Sequence, residues 1–222
     1  MKRVALRPAD TRLLGTQRTR LDAPVTFDVV HLARHGQTLW NQEGRKQGQL
    51  DSPLTADGHR HAVGLARLAY ALGVDLVATS PIGRALATAR ISAESLGLEV
   101  EVVQELAEVH HGEMAGLTTA EANRRFPGAL DQRAMDNYLW RFPGGESYAD
   151  ADDRAAVALD RIALTGARRP LIVSHEMIGR MLLRNLLGSR PADVLTTRQP
   201  HHLVYRVEPS SGLVVQLIAQ PV

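Results

Sequence analysis

Two rhythms of apolar and polar residues run along the chain. Phe27-Asp-Val-Val-His-Leu-Ala33, Leu76-Val-Ala-Thr79 and Pro170-Leu-Ile-Val173 are short runs rich in apolar and β-branched residues, the mark of buried strands. Glu99 to Val103 alternates charged and apolar residues, as a strand with one covered face does. Between these runs the apolar spacing turns helical. Ala62, Leu65, Ala66, Leu68 and Ala69 follow a capping Thr55 and stop at Gly73; further helices are predicted from about Arg84 to Leu96, from Ser147 to Thr165 and from Glu176 to Leu187. The Gly-, Gln- and Asn-rich stretch up to Ser52 reads as a loop. Residues 110–145 are irregular, with one helix expected over Thr118–Arg125, and they hold Phe126, Tyr138, Trp140 and Phe142. The chain closes on a predicted hairpin, Leu203–Val207 and Leu213–Ile218, around Pro-Ser-Ser-Gly. Strand and helix alternate for most of the length. That predicts an α/β three-layer sandwich: a mostly parallel central sheet with helices on both faces and an antiparallel C-terminal hairpin.

Composition narrows this picture. The 222 residues are 44% hydrophobic, enough for one sizeable core, expected over 26–222, with 109–145 as a cap at the substrate mouth. Residues 1–25 carry six basic and two acidic side chains, a net of +4 in a chain whose total is +2. This basic arm lacks interleaved aromatics, so it reads as a disordered extension rather than a nucleic-acid contact. No apolar run reaches the ~20 residues of a membrane helix, and the basic start leads into no apolar segment, so neither a membrane span nor a secretory signal is expected. There is no cysteine, which excludes disulfides, thiolate metal sites and cysteine nucleophiles and fits a cytoplasmic protein.

In open α/β sheets, sites gather at the carboxyl ends of strands. Here the first strand ends in Arg34-His35-Gly36, the second in Ser80-Pro81 leading to Arg84, and the fourth in Ser174-His175. Two histidines, two arginines and helix N-termini at one rim suit an anion, phosphate best of all. Arg34-His35-Gly36-Gln37-Thr38 with Asn41 resembles the signature of the histidine phosphatase superfamily, the phosphoglycerate mutase-like family. The likeness continues in order through Arg45 to Thr55 with Gly58, Thr79-Ser80-Pro81 with Arg84-Ala85 and Thr88-Ala89, Leu106-Ala-Glu108 with Gly112 and Gly116, Gly144-Gly145-Glu146-Ser147, and Val173-Ser174-His175. One block alone is weak, but this many in sequence across residues 28–187 are very specific.

The resemblance implies a metal-independent phosphomonoesterase of the histidine acid phosphatase type, working on a small phosphorylated metabolite through a phosphohistidine, with no cofactor. It implies His35 as nucleophile, Arg34, Arg84 and His175 as holders of the phosphoryl oxygens, and Glu108 as the acid that protonates the leaving alkoxide and then activates water. Asn41 matches a further phosphate contact in the block that also holds Thr38; Arg45, Gln47 and Gly48 match positions lining the mouth, and His111 a substrate contact. The physics agrees: charge in phosphoryl transfer sits on non-bridging oxygens, which arginine forks match at any working pH. Glu176 departs from the pattern, where relatives often have a small residue, and is expected to point away or to select the leaving group. Glu105, one turn from Glu108, reads as a solvated charge. His59, His61, His110, His201 and His202 lack metal-ligand spacing and read mostly as surface or loop residues. Three other readings stand beside the phosphatase: a phosphoglycerate mutase, made less favoured by the short span from Glu108 to Gly145; a non-catalytic phospholigand-binding protein; and tethering to nucleic acid through the arm. Family habit alone admits a homodimer.

Overall fold

A computed structural model describes residues 27–221, so the basic arm lies outside the described residues. The strands are β1 (Val30–Arg34), β2 (Leu76–Thr79), β3 (Val100–Val102), β4 (Pro170–Ser174), β5 (Leu203–Glu208) and β6 (Leu213–Ile218). They form one sheet in the order β3-β2-β4-β1-β5-β6. β3, β2, β4 and β1 run parallel, β5 pairs antiparallel with β1, and β6 antiparallel with β5. The helices are α1 (Leu39–Gln42), α2 (Ala56–Leu72), α3 (Gly83–Leu96), α4 (Thr119–Arg125), α5 (Ala129–Met135), α6 (Tyr148–Leu164), α7 (Glu176–Leu187) and α8 (Pro191–Leu195).

The strand pleat distributes the core. Ala33, Leu171 and Val173 face α2 and α3, joining Leu65, Ala69, Ala85, Ala89 and Ala93. Leu32 and Ile172 face the other way, onto Ala155, Ala158 and Ile162 of α6 and Ile178, Met181 and Leu182 of α7. Neighbouring strand residues thus feed opposite layers, as a period of two requires. The result is the expected α/β three-layer sandwich. The helix ends follow their chemistry: Thr55 accepts from Gly58 N–H, and Gly73 closes α2 at φ +62°. Among the described residues, no helix is long and apolar enough to cross a membrane.

Three short helices escape the apolar rhythm. α1 lies inside the expected loop and is held by a capping box between Thr38 and Asn41. α5 buries no residue, so it carries no stripe to read. α8 starts on Pro191 and spans five residues.

Candidate active site

The carboxyl ends of β1, β2 and β4 converge, and α3 and α7 begin beside them. His35 follows the last residue of β1 and is buried, its N–H donating to Ser174 O at 3.0 Å. Its ring Nδ1 lies 2.7 Å from Gly36 O. A carbonyl only accepts, so Nδ1 carries the ring proton and Nε2 keeps its lone pair. Burial first, then His175, Arg34 and Arg84, hold His35 well below the ordinary histidine value, so the ring stays neutral. Arg84 Nε donates toward that Nε2 at 3.2 Å.

Arg84 is almost fully buried on the first turn of α3. Its Nη1 donates to Leu50 O at 2.6 Å and its Nη2 to Gly48 O at 2.7 Å, while its backbone N–H donates to Asp51 Oδ1 at 3.1 Å. The loop that reads as Gly- and Gln-rich is therefore wrapped around this guanidinium. Gly48 sits at φ +53°, and a side chain there would press on the His111 ring. A side chain on Gly36 would strike Gly58 O and one on Gly58 would strike Gln37 O, so two glycines let the turn after His35 cross the start of α2.

His175 caps β4 with its ring centroid 5.2 Å from that of His35. Its Nε2 lies 2.8 Å from Ser80 Oγ. Ser80 Oγ also accepts from Ile82 N–H, and His175 Nδ1 is a buried ring nitrogen without a protein partner. Burial, Arg84 and Arg34 hold this ring too well below its ordinary value.

Arg34 ends β1 and donates through Nη1 to Glu176 Oε2 at 2.8 Å and to Gln199 O at 3.3 Å. Glu176 also accepts from Arg180 Nη2 at 2.7 Å, so it bridges two arginines rather than pointing away. Glu108 is buried, with Oε1 accepting from Val109 and Ile178 N–H at 2.9 and 3.1 Å and Oε2 from Met177 N–H at 3.3 Å, across the N-terminus of α7. Burial lowers Arg34 and Arg84 below their ordinary values; Glu176 and then Glu108 oppose this at Arg34, and Glu108 and then Asp51 at Arg84. Arg34, His35, Arg84, Glu108 and His175 thus share one site, an anion cradle holding a neutral imidazole.

Each expected mouth residue has partners or packing of its own. Thr38 and Asn41 bond to each other in the α1 cap. Arg45 is taken up by Glu43, Glu121 and Gly116 O. Gln47 is buried with Oε1 unpartnered. His111 stacks on Phe142 at 4.4 Å, and burial followed by Arg133 lowers it to about 3. Trp140 packs edge-on against Phe142 and the core.

One reading of the sequence needs correction. Glu105 is not a freely solvated charge: it pairs with Arg161 at 3.0 Å and is mostly covered. His201 is a loop residue, as expected, in the turn before β5, but it is half-buried against the site. Its ring lies 5.4 Å from that of His35 and its Nδ1 2.7 Å from His35 O. Arg154 was also unforeseen: it donates to Glu105 O, Ala107 O and Glu108 O and grips Glu146 with two nitrogens, fixing the segment that carries Glu108. Only the Gly-Gly-Glu-Ser motif around Glu146 hinted at it. Among the described residues, no three His, Asp or Glu side chains are placed to share a metal ion.

The profile of the histidine phosphatase superfamily (branch 1) matches residues 30–217. "Probable phosphoglycerate mutase GpmB" of Salmonella enteritidis PT4 is 36% identical over 160 residues, covering 72% of this chain and 74% of the relative. The mycobacterial glucosyl-3-phosphoglycerate phosphatase, solved with VO3, superposes with a TM-score of 0.75 at 28% identity, over 86% of this chain and 96% of that one. The alpha-ribazole phosphatase of Shigella flexneri shares the fold, with a TM-score of 0.77 at 23% identity over 86% of this chain and 96% of that one.

Proposed function

The chain belongs to the histidine phosphatase superfamily, and from that membership we propose that it is a metal-independent phosphate-monoester hydrolase acting on a small phosphorylated metabolite in the cytoplasm. The observation that carries the reading is the state of His35: buried, neutral, with Nδ1–H spent on Gly36 O and the Nε2 lone pair beside Arg84. That is the form of an imidazole ready to attack phosphorus.

In this reading Nε2 of His35 forms the N–P bond as the ester P–O bond breaks. Charge on the non-bridging oxygens meets Arg84, Arg34 and the Nδ1–H of His175. Glu108 gives a proton to the leaving alkoxide, then takes one from the water that hydrolyses the phosphohistidine. Arginines supply the positive charge that a metal brings elsewhere, and the neutral His175 adds a hydrogen-bond donor, so no cofactor is needed. Thr38, Asn41, Arg45, Gln47, Gly48 and His111 shape the loop beside the phosphate, and Glu176 acts on the phosphoryl site through Arg34. Activity should peak at mildly acidic to neutral pH.

The test is phosphate release from p-nitrophenyl phosphate at pH 5 to 8 with excess EDTA. Wild type should turn over, and His35→Ala should lose at least about 10³-fold, the scale of removing a nucleophile. Activity that needs a divalent metal, or that persists in His35→Ala, rejects the proposal. The mutase reading is favoured by one observation, the 36% identity to the mutase-named relative. It predicts interconversion of phosphoglycerates that depends on 2,3-bisphosphoglycerate, without accumulation of free phosphate.

A further inference from the structure

The segment between α8 and β5 lies beyond the motifs that carry the chemistry, yet it reaches β1 and the His35 that follows it at three points. Gln199 is buried and donates from Nε2 to Leu32 O of β1 at 2.8 Å. Its carbonyl accepts from Arg34 Nη1 at 3.3 Å. Two residues on, His201 places Nδ1 2.7 Å from His35 O. The His61 ring of α2 stacks on His201 from behind, with centroids 5.8 Å apart and planes 18° off parallel.

The peptide unit joining His35 to Gly36 is therefore held at both ends. Its N–H donates to Thr88 Oγ1 at 3.0 Å, and its C=O accepts from His201. That unit is the hinge of the nucleophile, because the next carbonyl along, Gly36 O, receives Nδ1–H and sets the direction of Nε2. If the 35–36 peptide tips, Gly36 O moves and the imidazole turns with it. Burial and Arg34 hold His201 down to about 3, so its ring is neutral and has one N–H, which goes to the carbonyl.

We propose that His201 is a positioning residue for the nucleophile, fixing the His35–Gly36 peptide and through it the aim of His35 Nε2. This rests on the hydrolase reading above. Misaligned attack slows chemistry while leaving the anion cradle intact, so the effect falls on kcat rather than KM.

Asparagine and glutamine separate this role from simple space-filling. The amide nitrogen of Asn stands where Nδ1 of histidine stands, so His201→Asn keeps the bond to His35 O; that of Gln reaches further and does not. The measurement is kcat and KM for p-nitrophenyl phosphate, with the amplitude of rapid phosphohistidine formation, in wild type, His201→Asn, His201→Gln and His201→Ala, each checked for folding by its melting curve. The expected result is a kcat within about threefold of wild type for His201→Asn and about tenfold or more lower for His201→Gln and His201→Ala, with KM little changed. Equal kcat in the Asn and Gln variants, fast or slow, overturns the inference, and that comparison stands even if His201→Ala does not fold. A wild type that releases phosphate from no ester overturns the hydrolase reading and this inference with it; an active wild type with equal variants overturns this inference alone.

Discussion

At the strand-end rim, Arg34, His35, Arg84 and His175 each end or follow a strand or begin a helix, and main-chain carbonyls help to aim three of them: Gly36 O for His35, Gly48 O and Leu50 O for Arg84, Gln199 O for Arg34. Across residues 109–145 no strand forms; turns and loop-to-loop main-chain bonds trace the path, and ring and side-chain contacts pack it. Phe142 stacks on His111, Arg133 lies over Phe142 and Tyr148, and Tyr138 Oη donates to Asp152 at 2.7 Å. Met135 and Leu139 stay largely exposed there. A site part aimed by the main chain tolerates little change, because moving it means moving the sheet. A part held by side chains can be rebuilt without disturbing the fold, which is how one reaction comes to serve different substrates.

That contrast breaks if damage at the rim is mild. Glu108→Gln keeps the shape but removes the proton, and should cost about 10²–10⁴-fold in kcat on alkyl phosphates and clearly less on p-nitrophenyl phosphate, whose leaving group needs no acid. A uniform loss across leaving groups would deny Glu108 the acid role.

Acid should weaken the buried rim and sheet before it weakens anything exposed. His31 in β1 is held to about 4, chiefly by burial, and His35 and His175 lie well below their ordinary value for the same reason. Below about pH 6.5 the unfolded chain binds more protons than the folded one, so stability is full above that pH and falls as pH drops toward each folded value. His31 alone should cost about 2 kcal/mol at pH 5. Urea midpoints at pH 7 and pH 5 measure it, and His31→Phe should flatten the slope; an unchanged midpoint would refute the linkage.

The smallest effects sharpen the contrast. Glu176→Gln, acting through Arg34, should slow every ester by a common factor of about 3–10. His111→Ala, in the side-chain-held part, should change KM unevenly across a metabolite panel by about as much. An uneven loss in Glu176→Gln would instead make Glu176 a selector of the leaving group.

Much of this was legible because punctuation and periodicity agreed. β2 lies over Leu76–Thr79 as its apolar run and Ser80-Pro81 imply, and α6 starts after Ser147 because that residue caps it with Asp150. Of the short helices α4 stands where the expected Thr118–Arg125 helix lies, but others were not legible: α5 has no buried face, and α1 announces itself only by Thr38 and Asn41 three apart. Most site residues were visible because each sits beside a strand-ending motif. His201 was not, since its role exists only once β5 has folded back along β1. Glu176 was seen, but its pairing with Arg34 joins residues 142 apart, which no local pattern reports.

The sheet order has a consequence for how the protein is made. β1 lies between β4 and β5, and the His35–Gly36 segment that follows it is held by Arg84, Thr88, Ser174 and His201, all further along the chain. During synthesis from the N-terminus, His35 leaves the ribosome among the first of the site residues and waits for almost all the others. A nascent chain halted before His201 would carry every family motif while the His35–Gly36 peptide still lacked one of its partners. The carboxyl end of β1 is therefore finished late, by residues that synthesis reaches among the last.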